Sequence, residues 1–347
     1  MRGAAGRLRD HWYAAALAAD VRDDKPLGRT ILGERLALWR GPDGAPRAVH
    51  DRCLHRNASL AAGAVVDDEI LCPYHGWAYD RTGELVRVPS AGPDGHQALR
   101  CRLEAFPVCD QDGLTWVWMG HRKDPDHRPF RMPYWDTPEW GAYYMTTPFA
   151  NGVTNLVENF MDVPHTVFVH EGWFRTRARK RVDAIVERTA DSVLVTYDQP
   201  KDSIGFTGKI LNPNGLPLVH TDKFYLPNNT RVDYIFGDHA RAFVITSTST
   251  PVSEFESLVF TLISYKFGRL GNRLAKRLLP AYTRKVIDQD VDIMAIQGES
   301  LQHHGAPVFT HTEADALHVH IEALRDWAAT GEGPPPAPVT EKITFWI

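Results

Sequence analysis

Two short segments of the chain each hold a cysteine and a histidine. Cys53 and His55 stand in the triplet CLH, and Cys72 and His75 stand in the tetrapeptide CPYH after sixteen intervening residues. Turn-forming residues flank both pairs, so two loops can bring them to one metal centre. Zinc could use two thiolates and two imidazoles, but zinc fingers and ribbons usually keep cysteine with cysteine and histidine with histidine. A [2Fe–2S] centre with thiolates on one iron and imidazoles on the other fits the mixed pairs.

A second group of candidate ligands lies in the segment NLVENFMDVPHTVFVH. Its polar residues recur at helical spacings of three, four and three: Asn155, Glu158, Asp162 and His165. Such a stripe in an apolar segment is costly unless its members bind one another, water or a metal. On an ideal helix His170 would point about 140° away from His165. Pro164 permits a kink that could bring both imidazoles to one point.

These motifs resemble a known family. The string C-x-H-x16-C-x2-H, continued by CPYHGWAYD and TGELVRVP, resembles the Rieske iron–sulfur domain, and E-N-x2-D-x2-H-x4-H resembles the mononuclear iron site of Rieske non-haem iron oxygenases. The resemblance implies that Cys53 and Cys72 bind one iron of a Rieske [2Fe–2S] cluster and that His55 and His75 bind the other. It also implies a mononuclear Fe(II) held by a second set of residues: His165, His170 and one carboxylate.

The resemblance requires a carboxylate to complete the iron site and leave positions open for O2 and substrate. The segment KVIDQDVDIMAIQ offers three: Asp288, Asp290 and Asp292. Only Asp290 has apolar residues three and four positions away on both sides, so we expect it on the buried helix face. The family pattern of an aspartate followed seven residues later by glutamine also falls on Asp290 and Gln297.

Other polar residues of the first helix are expected around the iron. Asp162 is placed to accept the free N–H of the His165 imidazole. The family's trimeric ring sets one subunit's cluster beside its neighbour's iron, and Asp162 matches the bridging aspartate. The remaining candidates for contacts around the ligands are Asn155, Glu158 and Asn159.

Composition excludes several classes of protein. A net charge of -4, from 39 Lys+Arg and 43 Asp+Glu in 347 residues, lacks the basic footprint of a nucleic-acid binder. No segment approaches the about 18 apolar residues of a membrane span. Four cysteines are too few for a disulfide scaffold, and no export signal is evident, so we expect a cytoplasmic protein.

The pattern of apolar runs predicts an α+β fold. Short runs broken by Gly and Pro between Ile31 and Trp118 predict a small antiparallel β domain. Beyond an aperiodic segment, a helix near Thr154–Val169, alternating segments and a helix from about Pro280 to Gln302 predict an antiparallel sheet with helices, resembling a helix-grip catalytic domain. The expected domains are a Rieske domain (1–120), a linker (121–140) and a catalytic domain (141–347). A Pro-rich tail, GEGPPPAPV, is expected to be irregular.

The resemblance implies a terminal oxygenase component, with O2 as co-substrate. A reductase, with or without a ferredoxin, would pass NAD(P)H electrons to the cluster and on to Fe(II). The implied reaction is hydroxylation or demethylation of a small, largely apolar molecule by a homotrimeric enzyme, a monooxygenase rather than a ring-dihydroxylating dioxygenase. The alternative is a Rieske electron carrier whose C-terminal domain binds a ligand and holds no mononuclear iron. The walls of the substrate pocket are expected to come from strands between Ser203 and Lys266 and from residues near Phe168 and Trp173. The basic residues between Arg175 and Arg181 are expected to face solvent.

Overall fold

The structure is a computed structural model that describes residues 8–121, 124–171, 180–198, 212–237, 239–305 and 308–347. The chain divides into two compact units, one spanning Arg9–Arg131 and one containing Met132–Ile347. The division falls inside the segment 121–140 that the sequence suggests as a linker. Within the described ranges, no helix has both the length and the hydropathy needed to span a membrane.

The first unit is built from short antiparallel strands. They are β1 (Trp12–Leu17), β2 (Leu27–Ile31), β3 (Glu34–Arg40), β4 (Pro46–His50), β5 (Ala64–Val66), β6 (Glu69–Leu71), β7 (Ala78–Tyr79), β8 (Leu85–Arg87), β9 (Val108–Gln111) and β10 (Leu114–Trp118). Their sheet orders are β1-β10-β9, β2-β3-β4 and β5-β6-β7-β8. Asp112 and Gly113 join β9 to β10 with φ of 52° and 82°, the positive pair that a tight hairpin turn requires.

A single antiparallel sheet dominates the second unit. Its strands are β11 (Gly141–Phe149), β12 (Arg181–Arg188), β13 (Ser192–Tyr197), β14 (Leu218–Tyr225), β15 (Asn229–Phe236), β16 (Arg241–Pro251), β17 (Ser257–Lys266) and β18 (Val339–Trp346), in the order β11-β17-β16-β15-β14-β13-β12-β18. In β12, Val182, Ala184 and Val186 are buried while the residues between them are exposed. This alternation sets one sheet face against the helices.

Among the described residues of the second unit, three α-helices pack near this sheet: α1 (Val153–Met161), α2 (Gly268–His304) and α3 (Ala316–Thr330). The core between α1, α3 and the sheet contains Val157, Ile321 and Val186, all fully buried. The second helix packs against β11 and β17. Side chains of the sheet and side chains of the helices can therefore line a common space between them.

The predicted α+β class, with antiparallel sheets and helices, is confirmed. Two boundaries were wrong. The second helix begins at Gly268 rather than near Pro280, because it accommodates Pro280 within its length. The first helix ends at Met161, and a 3-10 turn at Pro164–Val167 follows it, since proline interrupts the helical ladder. After the Pro-rich tail the chain forms β18, which pairs with β12 at the sheet edge.

Candidate functional site

The two cysteine and histidine pairs occupy matching turns, one after β4 and one after β6. In each turn the cysteine carbonyl accepts a hydrogen bond from the N–H four residues later, and the cysteine N–H donates to the carbonyl five residues later. Each turn closes on a residue with positive φ, Asn57 at 59° and Gly76 at 69°. The local sequence therefore folds into two equivalent loops, each of which presents one thiol and one imidazole.

The four side chains divide by burial. Cys53 and Cys72 are 1% and 4% exposed, whereas His55 is half-buried and His75 is exposed. The two imidazole rings lie 4.5 Å apart between centroids. His55 also stacks on Trp77, at 4.7 Å and 4° between the ring planes. The two thiols are thus shielded from water, whereas the imidazole of His75 is exposed to water.

The chemistry of these donors fits an iron–sulfur cluster. Among the described residues, the buried Nδ1 of His55 has no hydrogen-bond partner, which is costly unless a ligand satisfies it. Burial, together with the neighbouring His75 and Arg56, lowers the pKa of His55 and favours the neutral ring that binds metal. Burial raises the pKa of the Cys72 thiol, and a bound metal would deprotonate it.

The second group of predicted ligands converges on one carboxylate oxygen. Nε2 of His165 lies 3.6 Å and Nε2 of His170 lies 3.3 Å from Oδ1 of Asp290. One ligand atom of each residue lies within 4.8 Å of the others. All three side chains are largely buried. Two imidazoles and one carboxylate form a donor set suited to Fe(II) with open positions.

The break after α1 brings the two histidines together. Asp162 is extended, with φ of -91° and ψ of 110°, and Pro164 begins the 3-10 turn that contains His165. The two imidazole centroids are 5.1 Å apart. Asp290 comes from α2, where it is buried while Asp288 and Asp292 are exposed, as the helical-face argument predicts.

The outer nitrogen of each imidazole donates to a protein oxygen. Nδ1 of His165 donates to the backbone carbonyl of Asp162, and Nδ1 of His170 donates to Oε1 of Gln289 at 3.1 Å. Because both acceptors are carbonyl oxygens, each ring would keep its proton on Nδ1 when Nε2 binds a metal, and Nε2 would then offer its lone pair. Nδ2 of Asn159 donates to Oδ1 of Asp290 at 3.1 Å.

The carboxylate of Asp290 and the two imidazoles influence one another's pKa because they are buried together. Burial opposes charge on Asp290, but hydrogen bonds from His165 and His170 hold its pKa well below the usual value. Burial also opposes charge on His165, but Asp290 and Asp162 raise the pKa of that imidazole. Burial raises the pKa of Asp162 despite the nearby histidines.

The other predicted residues lie at different distances from the ligands. The carboxylate of Asp162 lies 3.8 Å from Nδ1 of His165. The hydrogen bond from this Nδ1 goes instead to the backbone carbonyl of Asp162, because that carbonyl lies beyond the end of α1. Asn155 is buried and donates from Nδ2 to Oδ1 of Asn151 at 2.6 Å, and Glu158 is half-buried on α1.

Sequence reasoning missed the glutamine that holds His170. Gln297, which follows Asp290 by seven residues, accepts instead from Nδ2 of Asn151 at 3.0 Å. Gln289 directly precedes Asp290, and this position beside a predicted ligand is the sequence signal that could have identified it.

A cavity of about 120 Å³ adjoins the three converging side chains. Strands β14 to β17 supply much of its wall, including the apolar residues Val232, Phe243, Ile245 and Ile263. Phe168 is 62% exposed. Trp173, residues 199–211 and most of the basic segment near Arg175 lie outside the described residues.

Comparison with known families matches both units. Residues 11–107 match the Rieske [2Fe-2S] domain, and residues 152–328 match the vanillate O-demethylase oxygenase C-terminal domain. The chain is 36% identical over 229 residues to the dicamba O-demethylase oxygenase component of Stenotrophomonas maltophilia, covering 65% of this chain and 62% of that protein. It is 33% identical over 164 residues to the vanillate O-demethylase oxygenase subunit of Pseudomonas sp., covering 46% and 44%. The chain thus spans less than two thirds of the length of these relatives.

Solved structures share the fold. The crystal structure of dicamba monooxygenase bound to dicamba has a TM-score of 0.77 and 22% identity, covering 94% of this chain and 98% of that one. The Pseudomonas putida CBB5 NdmA QL mutant with caffeine has a TM-score of 0.76 and 21% identity, covering 98% of each chain. At these identities the likeness establishes the architecture alone.

Proposed function

Because this chain belongs to the Rieske non-haem iron oxygenases, with a C-terminal domain of the vanillate O-demethylase type, we propose that it is the terminal oxygenase component of a monooxygenase system. The observation that carries the proposal is the convergence of His165 and His170 on Asp290, within 3.6 Å and beside a cavity. A protein that only transferred electrons would have no need of a second donor set there.

The loops of the first unit would hold the Rieske cluster. Cys53 and Cys72 would bind one iron, and His55 and His75 the other. A cluster bound there supplies single electrons. The chain shields the buried thiolates from water, while Trp77 covers one face of His55 and the exposed His75 offers an edge for electron entry.

The second unit would hold the mononuclear iron through His165, His170 and Asp290. Fe(II) bound by two histidines and one carboxylate supplies open positions at which O2 can be activated. The surrounding residues orient these ligands: the Asp162 carbonyl and the Gln289 amide oxygen each hold an Nδ1–H, and Asn159 donates to Asp290. This prearranged shell fixes the direction of each donor atom before metal binds.

The family sets the expected partners of this component. A reductase that takes electrons from NAD(P)H, with or without a ferredoxin, would reduce the cluster. Asp162 would link the cluster of one subunit to the iron of its neighbour in a homotrimer. The cytoplasmic location expected from the sequence stays a prediction.

The reaction follows from the relatives and the cavity together. Both relatives named above are O-demethylase components, which favours oxidative demethylation or hydroxylation here. The apolar side chains contributed by β15, β16 and β17 favour a small, largely apolar substrate.

Iron and sulfide quantification tests the proposal. The protein, purified without oxygen and reconstituted with iron and sulfide, should contain about three iron and two sulfide per chain. About two iron per chain, with no further uptake of Fe(II), would favour the electron-carrier alternative and contradict the oxygenase.

A substitution tests the iron ligands directly. Asp290→Ala should remove about one iron per chain and abolish O2-dependent product formation, while the visible absorption of the cluster persists. Asp292→Ala is the matched control, because Asp292 lies on the same helix but is exposed. Unchanged turnover in the Asp290 variant would exclude Asp290 from the site.

A further inference from the structure

The sheet side of the cavity carries a buried carboxylate that the proposed iron site does not use. Asp222 and its neighbour His220 line the cavity from β14, and each is only 2% exposed. Nε2 of His220 lies 3.1 Å from Oδ1 of Asp222. The hydroxyl of Tyr197 donates to Oδ2 at 2.8 Å. The carboxylate therefore has a neighbouring donor at each of its two oxygens.

Cross-strand stacking fixes this arrangement. Tyr197, His220 and Tyr234 are direct register partners on β13, β14 and β15. Their rings stack with centroids 4.5 Å apart on each side of His220, at 24° and 18° between planes. Since the imidazole is held between two rings, the group that orients Asp222 has little freedom to turn.

Asp222 retains capacity to bind a substrate. A carboxylate has about four lone-pair sites, of which the two donors named above occupy two. Because Asp222 lines the cavity, a hydroxyl or amine N–H of a bound molecule could reach a remaining site. The apolar wall beside it would accept the rest of that molecule.

The charges of the cavity disfavour an anion. Among the described residues that line it, three carry carboxylates, Asp162, Asp222 and Asp290, and none is lysine or arginine. A bound Fe(II) would offset two of these three negative charges, those of its ligand Asp290 and the neighbouring Asp162, and would leave one, on Asp222, which lies on the sheet and would face the substrate. A second anion beside a buried carboxylate is repelled strongly, because little water screens the pair.

We infer that Asp222, oriented by His220 and Tyr197, selects an uncharged, largely apolar substrate that donates a hydrogen bond, and disfavours carboxylate substrates. Asp222 is then a specificity-determining residue. The inference rests on the proposed oxygenase function of this cavity, and it names the chemical class of the substrate.

Calorimetric binding to the oxygen-free holoenzyme tests the inference with three probes of similar shape. They are 4-methoxyphenol, which donates a hydrogen bond, anisole, which does not, and the anion 4-methoxybenzoate. We expect 4-methoxyphenol to bind about tenfold more tightly than 4-methoxybenzoate, and anisole to lie between them. Equal or tighter binding of the benzoate, or no binding of the phenol at millimolar concentration, would overturn the inference.

Variants assign the preference to Asp222. Asp222→Asn removes the charge at constant volume and should reduce the phenol-to-benzoate ratio about tenfold. Asp233→Asn is the matched control, since Asp233 is equally buried but lies on the opposite face of the sheet, paired with Lys223 and Arg231. An unchanged ratio in the Asp222 variant, or an equal change in the control, would contradict the assignment.

A second variant covers the case in which Asp222→Asn does not fold. Tyr197→Phe keeps the ring stack but removes the donor to Oδ2 of Asp222. It should weaken 4-methoxyphenol binding about threefold and leave anisole unchanged, because only the phenol uses the oriented carboxylate. Unaltered phenol binding would count against the inference. Since these measurements need no turnover, their failure is distinct from a failure of the iron or product assays.

Discussion

Oε1 of Gln289 accepts a hydrogen bond from Nδ1 of His170 at 3.1 Å. The next residue of the same helix, Asp290, places Oδ1 3.3 Å from Nε2 of that imidazole. Two consecutive side chains of α2 thus contact both nitrogens of one ring. The helix that supplies the proposed third ligand also sets the direction of the second.

Gln289→Leu should weaken Fe(II) binding at the proposed mononuclear site while the proposed cluster is retained. The variant loses the acceptor that fixes the tautomer of His170, and such outer contacts are typically worth about 10- to 100-fold in metal affinity. Titration of the metal-depleted mononuclear site with Fe(II) measures the effect. Gln302→Leu, on the exposed part of the same helix, should bind Fe(II) as the unmodified protein does. Equal affinity in both variants would contradict a role for Gln289.

Tyr79→Phe should lower the reduction potential of the proposed cluster. The Leu54 N–H donates to the Tyr79 hydroxyl at 3.0 Å, so the hydroxyl proton is directed toward Sγ of Cys53, 3.4 Å away. A hydrogen bond to sulfur stabilises the more negative, reduced state. Its loss should lower the potential by about 40 mV, equivalent to about 1 kcal/mol for one electron. Potentiometric titration checks this, with Tyr74→Phe, whose ring is 65% exposed, as the control. An equal or higher potential in the Tyr79 variant would oppose the prediction.

Arg325→Met should destabilise the second unit. The Arg325 side chain is fully buried and donates to the Pro227 carbonyl at 2.6 Å, to the side chain of Asn228 and to Thr154 Oγ1 at 3.2 Å. It thereby joins α3 to the first turn of α1. Loss of these donors leaves buried acceptors unsatisfied and should reduce the free energy of unfolding by about 3 kcal/mol. Urea denaturation measures the change, and the exposed Arg273→Met should alter stability by less than about 0.5 kcal/mol. Similar stabilities of the two variants would refute this role.

Asp315→Asn should reduce stability near neutral pH but not in acid. The Asp315 carboxylate accepts from the Thr312 N–H at 2.7 Å and from its hydroxyl at 2.8 Å. Partial burial acts the other way, but these bonds lower the pKa of Asp315. A lowered folded-state pKa means that the stabilisation is present above the ordinary Asp pKa of about 3.9 and is lost as pH falls through the folded value.

Unfolding of the two proteins at a series of pH values checks this. The difference should be about 0.5 kcal/mol at neutral pH, the usual contribution of a negative charge near a helix N-terminus, and should disappear as the carboxylate protonates. Asp326→Asn, exposed on α3, should show no such dependence. A difference that persists unchanged in acid would show that the charge of Asp315 is not its cause.

The sequence was most informative where chemistry depends on short spacing. The turns around Cys53 and Cys72 close through hydrogen bonds within five residues, so the local pattern was enough to indicate a cysteine and histidine centre. Pro164 indicated a break between the two histidines for the same reason, because its effect on the backbone is local, although the first helix already ends at Met161. The apolar neighbours of Asp290 likewise indicated its burial on α2.

Contacts between distant residues could not be read in this way. His170 and Gln289 are 119 positions apart, and no local pattern pairs them. The stack of Tyr197, His220 and Tyr234 exists only because strand register aligns them.

The sequence by itself determined the fold class and the candidate ligands, since helix faces, turns and strand alternation are set by near neighbours. Tertiary packing alone decided which outer residues hold those ligands and that Asp222 also lines the cavity, because both depend on how separate elements are brought into register.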